Sequence, residues 1–152
     1  LVTPAIALPT GQNPVVLKFW HAPTLEANGA TACYDGGILQ ISTNGGATWT
    51  QVPAANLLVG SYTGAVSTCC SNPLAGLQAW CGTSTAYIQT IADLSSYAGQ
   101  TAQFRMRLGS DTSVTAAGWN VDDVTIQSCQ VPALFSDGFE SGNTTQWSAT
   151  VP

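Results

Sequence analysis

The segment Ala102-Gln-Phe-Arg-Met-Arg-Leu108 alternates apolar and polar side chains along its whole length. Successive side chains of a β-strand point to opposite faces, so this alternation predicts a strand with one face in the core and the other in solvent. The segment Val15-Val-Leu-Lys-Phe-Trp20 shows the same alternation at Leu17, Lys18 and Phe19. Both segments therefore indicate half-buried antiparallel strands.

The rest of the chain adds short strand patterns, each bounded by Gly, Pro, Asn or Ser clusters that favour turns. No segment predicts a helix. About eight such strands predict an all-β fold, an antiparallel two-sheet jelly-roll sandwich. Residues 53–73 lack a clear period, so we expect a long loop there, pinned by a disulfide at Cys69 or Cys70. The additional strand candidates are residues 2–8, 37–43, 48–52, 76–80, 86–93 and 119–127.

A tight hairpin is predicted at Ser42-Thr-Asn-Gly-Gly-Ala-Thr-Trp49, which lies between two strand patterns. Its Asn-Gly-Gly supplies the positive-φ residues that tight hairpin turns require. The segment resembles the Asp-box hairpin, with Asn44 at the Asp position. That motif is structural wherever it occurs, so it carries no catalytic implication.

Charged side chains make up only 7% of the 152 residues, with three basic against eight acidic ones. Such a chain offers no positive surface to phosphate backbones or anionic membranes, which excludes nucleic acid as a partner. Its 45% hydrophobic content suffices for one sizeable core. No apolar run approaches the roughly 18 residues of a membrane span, so we expect no membrane insertion. The Thr- and Val-rich, Lys-poor composition indicates a secreted all-β protein.

Five cysteines in a secreted chain predict two disulfides and one remaining thiol. Their connectivity does not follow from the sequence, although a bridge from Cys70 to Cys81 would close a short loop. Zinc ligation is disfavoured, because no C-x-x-C pair accompanies the single histidine, His21. The disulfide candidates are Cys33, Cys69, Cys70, Cys81 and Cys129.

Several acidic side chains fall at loop and strand-end positions. The apolar parity shifts within Gly118-Trp-Asn-Val-Asp-Asp-Val-Thr-Ile126, so Asp122 and Asp123 are predicted to straddle a β-bulge that turns one of them inward. A buried carboxylate needs a positive partner, and oxygen ligands suit Ca²⁺. The alternative is that these carboxylates cap turns or pair with an arginine. The predicted calcium ligands are Glu26, Asp35, Asp111, Asp122 and Asp123.

No catalytic role is expected, because the chain has neither a nucleophile elbow nor a His-rich metal motif. Two carboxylates acting as in a glycosidase would be the enzymatic alternative. His21, beside Phe19 and Trp20 on a strand, is predicted to be a hydrogen-bonded structural residue. Aromatic side chains could form a sugar-stacking platform or simply belong to the core. The platform candidates are Trp20, Tyr62, Trp80 and Trp119.

In combination, these segments resemble the MAM-like jelly-roll module, a galactose-binding-like sandwich attached to secreted bacterial metallopeptidases such as immune inhibitor A. That module is non-catalytic, and no peptidase domain is matched here. The resemblance implies calcium bound at Glu26, Asp35 and the Asp122-Asp123 pair, with Asp111 as a further ligand. It covers about residues 1–129 and is carried by Leu17-Lys-Phe-Trp-His21, Glu26, Tyr34-Asp-Gly-Gly-Ile-Leu-Gln-Ile-Ser42, Asn44-Gly-Gly-Ala-Thr-Trp49, Asn72-Pro-Leu74, Ala79-Trp80, Asp93-Leu-Ser-Ser-Tyr-Ala-Gly-Gln100, Phe104-Arg-Met-Arg107, Gly109-Ser-Asp111 and Gly118-Trp-Asn-Val-Asp-Asp-Val124.

Residues 130–152 form a second predicted region, a short linker followed by a strand segment whose assembly residues are Phe135, Phe139 and Trp147. This tail looks like the first strand of related jelly rolls, and the resemblance implies that a strand is missing before Leu1-Val-Thr-Pro4. The tail could fill that position in the next molecule, which gives a head-to-tail homopolymer. It could also fold back on its own sandwich or belong to a neighbouring module.

The sequence therefore predicts a non-catalytic, extracellular, calcium-stabilised sandwich with a structural role, in one version a filament subunit that polymerises by strand donation. The alternative is an accessory module that binds carbohydrate or protein and comes from a larger secreted bacterial protease or hydrolase.

Overall fold

The computed structural model describes residues 1–129, which correspond to the predicted jelly-roll region. The predicted assembly residues Phe135, Phe139 and Trp147 lie outside the described residues. Within residues 1–129 there is no α-helix, only two short 3-10 turns, at Ala54–Asn56 and Ser95–Tyr97. No helix in this part of the chain is long and apolar enough to cross a membrane.

Twelve β-strands make up the described part of the chain, and most are short. The two longest have eleven residues each. In chain order the strands are β1 (Ile6–Ala7), β2 (Val15–Leu25), β3 (Ala32–Cys33), β4 (Gly36–Ser42), β5 (Thr50–Gln51), β6 (Leu57–Val59), β7 (Gly64–Val66), β8 (Gln78–Ala79), β9 (Gly82–Thr83), β10 (Ile88–Asp93), β11 (Thr101–Gly109) and β12 (Gly118–Ser128).

Two antiparallel sheets pack face to face, which confirms the prediction of an all-β sandwich. One sheet has the order β1-β11-β4-β5, and the other has the order β12-β2-β10-β6, with β9 also paired to β2. A smaller third sheet, β3-β7-β8, contains the parallel pair β3–β7. The chain therefore passes from one sheet to the other several times, as it does in sandwiches with Greek-key connections.

The core lies between the two main sheets and follows the alternation seen in the sequence. Every second residue of β2 from Val15 to Leu25 is buried, while the intervening ones are half-buried. Ala102, Phe104 and Met106 of β11 face the same core, each with at most 3% exposed surface. The two segments that predicted half-buried strands thus form the centre of the opposing layers.

β4 departs from this alternation, because all seven of its residues are buried. Its core side contributes Leu39 and Ile41 to the main cluster. Its other side is covered by the small third sheet, so that Ile38 lies in a second cluster with Cys33, Val66, Leu74 and Ala79.

The hairpin between β4 and β5 forms as predicted. Gly45 and Gly46 have φ of +69° and +85°. Ser42 Oγ accepts a hydrogen bond from the Gly46 N–H at 2.9 Å, and Asn44 Oδ1 accepts one from the Thr48 N–H at 2.9 Å. The Asn side chain therefore supports the turn from within.

The cysteines form two disulfides, as expected, but the suggested bridge from Cys70 to Cys81 is wrong. Cys81 pairs with Cys33, and Cys70 pairs with its neighbour Cys69. Cys129 is exposed and carries no disulfide within residues 1–129. The Cys33–Cys81 bond links β3 to the segment after β8, and it is set by tertiary contact across 48 residues of sequence.

The predicted loop at residues 53–73 is also wrong in part. This stretch contains a 3-10 turn and the strands β6 and β7. Its neighbouring cysteines bond to each other, so they do not tie the loop to a distant segment. Strands of only three residues are too short to give a clear apolar period.

Candidate metal centre

Three carboxylates meet at one end of the sandwich. Glu26 directly follows β2, Asp35 directly precedes β4, and Asp111 lies two residues after β11. One ligand oxygen from each of them lies within 4.8 Å of the other two. Because the three come from separate parts of the chain, the sandwich itself brings them together.

Backbone hydrogen bonds hold the three loops in register. The carbonyl oxygen of Glu26 accepts from the N–H groups of Tyr34 and Asp35, both at 3.1 Å. Asp35 Oδ1 accepts from the Asp111 N–H at 3.0 Å. Asp35 itself is only 4% exposed. The arrangement therefore fixes a buried carboxylate between two partly exposed ones.

The electrostatics of the cluster are unfavourable without a cation. Glu26 Oε2 is enclosed and has no hydrogen-bond partner in the described part of the chain. Burial raises the pKa of Glu26, and the negative charges of Asp111 and then Asp35 raise it further. An oxygen-only set of this kind fits a hard cation such as Ca²⁺, whose binding would neutralise the repulsion.

Asn72 holds the backbone next to the three carboxylates, and the sequence did not identify it as a site residue. It is 4% exposed, and its Nδ2 donates to the carbonyl oxygens of Tyr34 at 2.6 Å and Gly109 at 3.1 Å. These carbonyls stand beside Asp35 and Asp111. The signal in the sequence is an Asn-Pro pair, which is typical of turns but does not reveal the distant carbonyls that the amide bonds.

The Asp122-Asp123 pair does not join the cluster, so its predicted role as a ligand pair is not supported. The predicted bulge is present, since the register between β12 and β2 shifts between Asp122 and Thr125 and Asp123 has φ of +50°. The inward turn is wrong, because both carboxylates are exposed. Asp122 Oδ1 instead accepts from the Asp123 N–H at 2.8 Å and stabilises the bulge.

His21 is a structural residue, as predicted. It has no exposed surface. Its Nδ1 lies 2.9 Å from Trp119 Nε1, which donates to it, and its Nε2 lies 3.0 Å from Thr90 Oγ1. The Thr90 hydroxyl in turn donates to the Gly60 carbonyl oxygen at 3.1 Å. Burial lowers the pKa of His21 to about 4.

The aromatic residues proposed as a sugar platform do not form one surface. Trp80 has no exposed surface, and its ring lies 4.4 Å from that of Tyr62 and 5.7 Å from that of Trp119. The Tyr62 hydroxyl donates to the Val52 carbonyl oxygen at 2.9 Å. These rings belong to the core cluster, whereas Trp20 is directed to the opposite face of β2.

No protein-family model matches this chain, and no curated protein matches it. The resemblance to the MAM-like module therefore stays a prediction based on its residues. The geometry of the described residues is the remaining guide to function.

Proposed function

We propose that this chain is a non-catalytic, calcium-stabilised β-sandwich module of a secreted protein and that its role is structural. The observation that carries the proposal is the cluster of Glu26, Asp35 and Asp111, in which one carboxylate oxygen is enclosed without a partner. An enclosed carboxylate oxygen without a partner is costly unless a cation or a proton accompanies it.

Calcium suits this cluster better than zinc does. The three side chains offer only oxygen, which is the ligand atom that Ca²⁺ prefers. The residues that would hold the ion are Glu26, Asp35 and Asp111. When bound, it would offset two of their three negative charges and tie the end of β2 to the segments flanking β4 and β11.

Three further observations support a structural role outside the cell. The chain's only histidine is enclosed by Trp119 and Thr90, so it is not accessible as a general base. The Cys33–Cys81 disulfide favours an oxidising compartment. With only three basic residues, the chain is also unsuited to nucleic acid.

Thermal unfolding with calcium and with chelator tests the proposal. At about 100-fold excess of calcium over its dissociation constant we expect roughly 2.7 kcal/mol of added stability, or a rise of about 5 to 10 °C in Tm. Glu26→Gln should remove most of this rise. Asp122→Asn removes the same charge from an exposed site outside the cluster, so it serves as the matched control and should keep the rise.

Two results would contradict the proposal. The first is a Tm that is the same with calcium and with chelator. The second is a calcium-dependent rise that survives Glu26→Gln but disappears in Asp122→Asn, because the ion would then lie at the bulge and not in the cluster.

The accessory binding module remains a second candidate, supported by the outer face of β11. The Arg105 guanidinium lies 4.5 Å from the centroid of the Trp49 ring and donates from Nε and Nη2 to Gln40 Oε1 at 2.9 and 2.6 Å. Burial, and then the charge of Arg107, lowers the pKa of Arg105. Two arginines on the same face of β11, one held rigidly, favour a carboxylated glycan. Titration with a polyuronate should show binding that Arg107→Gln weakens, and no binding at millimolar concentrations would exclude this candidate.

A further inference from the structure

One corner of the sandwich leaves core-facing side chains uncovered. Leu108 continues the inward series of Ala102, Phe104 and Met106 on β11, but it is 47% exposed, whereas the other three are at most 3% exposed. Leu1 nearby is 69% exposed. A hollow of about 300 Å³ lies here, lined by Leu1, Met106, Leu108, Trp119, Asn120 and Val121.

The rim of this hollow is an unpaired strand edge. β12 pairs with β2 on one side, and no strand among residues 1–129 pairs with its other side. With eleven residues it is much the longest edge strand of the two main sheets, since β6 has three residues and β1 and β5 have two each. An edge of this length spans about 36 Å and presents a row of backbone donors and acceptors to another chain.

We infer that the outer edge of β12 takes up residues 133–147 of a second copy of this chain as an added strand, with a phenylalanine of that segment covering the hollow. The segment is long enough for the edge, and it places Phe135 and Phe139 on one strand face, four residues apart. Added strands of this kind gain affinity from main-chain hydrogen bonds and specificity from side-chain pockets. The inference deepens the proposed structural role and rests on it, but it does not require the metal.

The end of β12 favours donation to another molecule over folding back. Cys129 extends the ladder beyond β12, since its N–H donates to the Pro14 carbonyl oxygen and its carbonyl oxygen accepts from the Asn13 N–H, both at 3.1 Å. The next residues, Gln130-Val-Pro-Ala133, contain none of the Gly, Asn or Asp residues that tight hairpin turns use. A valine before proline is also restricted to extended conformations. A tight reversal between the end of β12 and Ala133 is therefore disfavoured.

The bulge restricts where the added strand can pair. It divides β12 at Asp122 and Asp123, whose exposed carboxylates would repel Asp137 and Glu140 of the donor in any register that brings them side by side. The half from Gly118 to Val121 borders the hollow and carries no charge. Screening of these like charges should strengthen association when salt is raised from about 10 to 150 mM.

Light scattering of the complete 152-residue chain tests the inference, with negative-stain microscopy as a second readout. All proteins carry Cys129→Ser, so that thiol coupling cannot imitate assembly. The parent should form particles whose mass grows with concentration. Phe139→Asp, which damages the donor, and Leu108→Asp, which damages the acceptor, should each stay at the mass of one 15.7 kDa chain.

Mixing the two damaged variants gives the sharpest result. Each retains one working half, so an equimolar mixture should form a particle of two chains and grow no further. Leu58→Asp is the matched control, because Leu58 is a 59% exposed leucine on the opposite edge strand, β6, and should leave assembly unchanged. Equal Tm values for all variants show that they are folded.

The inference is overturned if the parent stays monomeric at high concentration, if Leu108→Asp assembles like the parent, or if the mixture stays monomeric. Loss of assembly on adding salt would also overturn it, since it would indicate a charge-driven contact. Failure of the calcium proposal alone would appear only as a Tm that is insensitive to chelator, while the mass measurements would still show assembly.

Discussion

Acidification should destabilise this fold through one buried side chain, His21. The Trp119 N–H donates to its Nδ1, so that nitrogen carries no proton, and Nε2–H donates to Thr90. Protonation of Nδ1 would bring two N–H donors face to face in a site without water access. The sign of the effect follows from this geometry: the folded state resists protonation, and the unfolded chain does not.

The magnitude comes from the two pKa values. That of His21 falls from 6.5 to about 4 on folding. A group with a lowered folded pKa contributes stability that is fully present above its unfolded value and is lost as pH falls through its folded value. The difference between a pKa of 6.5 and one of about 4 corresponds to a loss of roughly 3 kcal/mol in the free energy of unfolding on acidification.

Urea unfolding at a series of pH values, with calcium held constant, measures this loss. His21→Asn cannot titrate, so the difference between the parent and this variant isolates the contribution of the imidazole. Trp119→Phe removes the opposing donor and should reduce the acid-dependent loss while leaving the histidine in place. Equal slopes for the parent and His21→Asn between pH 6.5 and 4 would refute the reasoning.

Three other outcomes follow from the described contacts. With chelator present, the free energy of unfolding should fall as pH rises above 4.5, because the pKa of Glu26 is raised in the folded state, which therefore binds more protons than the unfolded chain. In urea titrations, Glu26→Gln should flatten this dependence on pH. Asn72→Ala should cost about 2 to 4 kcal/mol and weaken calcium binding in calorimetry, since it leaves two carbonyls near the centre without a donor. Gly60→Ala should lower Tm much more than Gly45→Ala. Both glycines have positive φ. A Cβ at Gly60 would collide with the Gln89 carbonyl, whereas nothing lies within 4 Å of a Cβ at Gly45.

The fold was largely predictable because its main strands carry local signals. β2 and β11 alternate residue by residue, and the Asn-Gly-Gly turn before β5 needs no distant partner to be recognised. The parity shift within β12 correctly predicted a bulge. These features depend on neighbours within a few residues, which a sequence displays directly.

The site was predictable only in part, because its geometry depends on long-range packing. Acidic residues at strand ends identified Glu26, Asp35 and Asp111, and the structure brings all three together. The same reasoning included Asp122 and Asp123, which are exposed on either side of the turn in the bulge. Composition does not distinguish an inward carboxylate from an outward one at a bulge.

The predictions of disulfide pairing and of aromatic exposure failed for a related reason. Cys33 and Cys81 meet because β3 and β8 both pair with β7 in the small third sheet, and Trp80 is buried in the main core. Neither fact is encoded in the spacing of cysteines or tryptophans. Predicting them would have required knowing that the small third sheet packs on the outer side of β4.

β4 has a core on both of its faces, which makes it unlike the other strands within residues 1–129. In a saturation mutagenesis experiment the other long strands should show tolerant positions at every second residue. β4 should show seven consecutive intolerant ones, its glycines included, because a methyl group at Gly36 or Gly37 would collide with Ala79 or Trp119. Natural drift should be slowest along this strand, so Gly36-Gly-Ile-Leu-Gln-Ile-Ser42 is the part of the chain by which its distant descendants would stay recognisable.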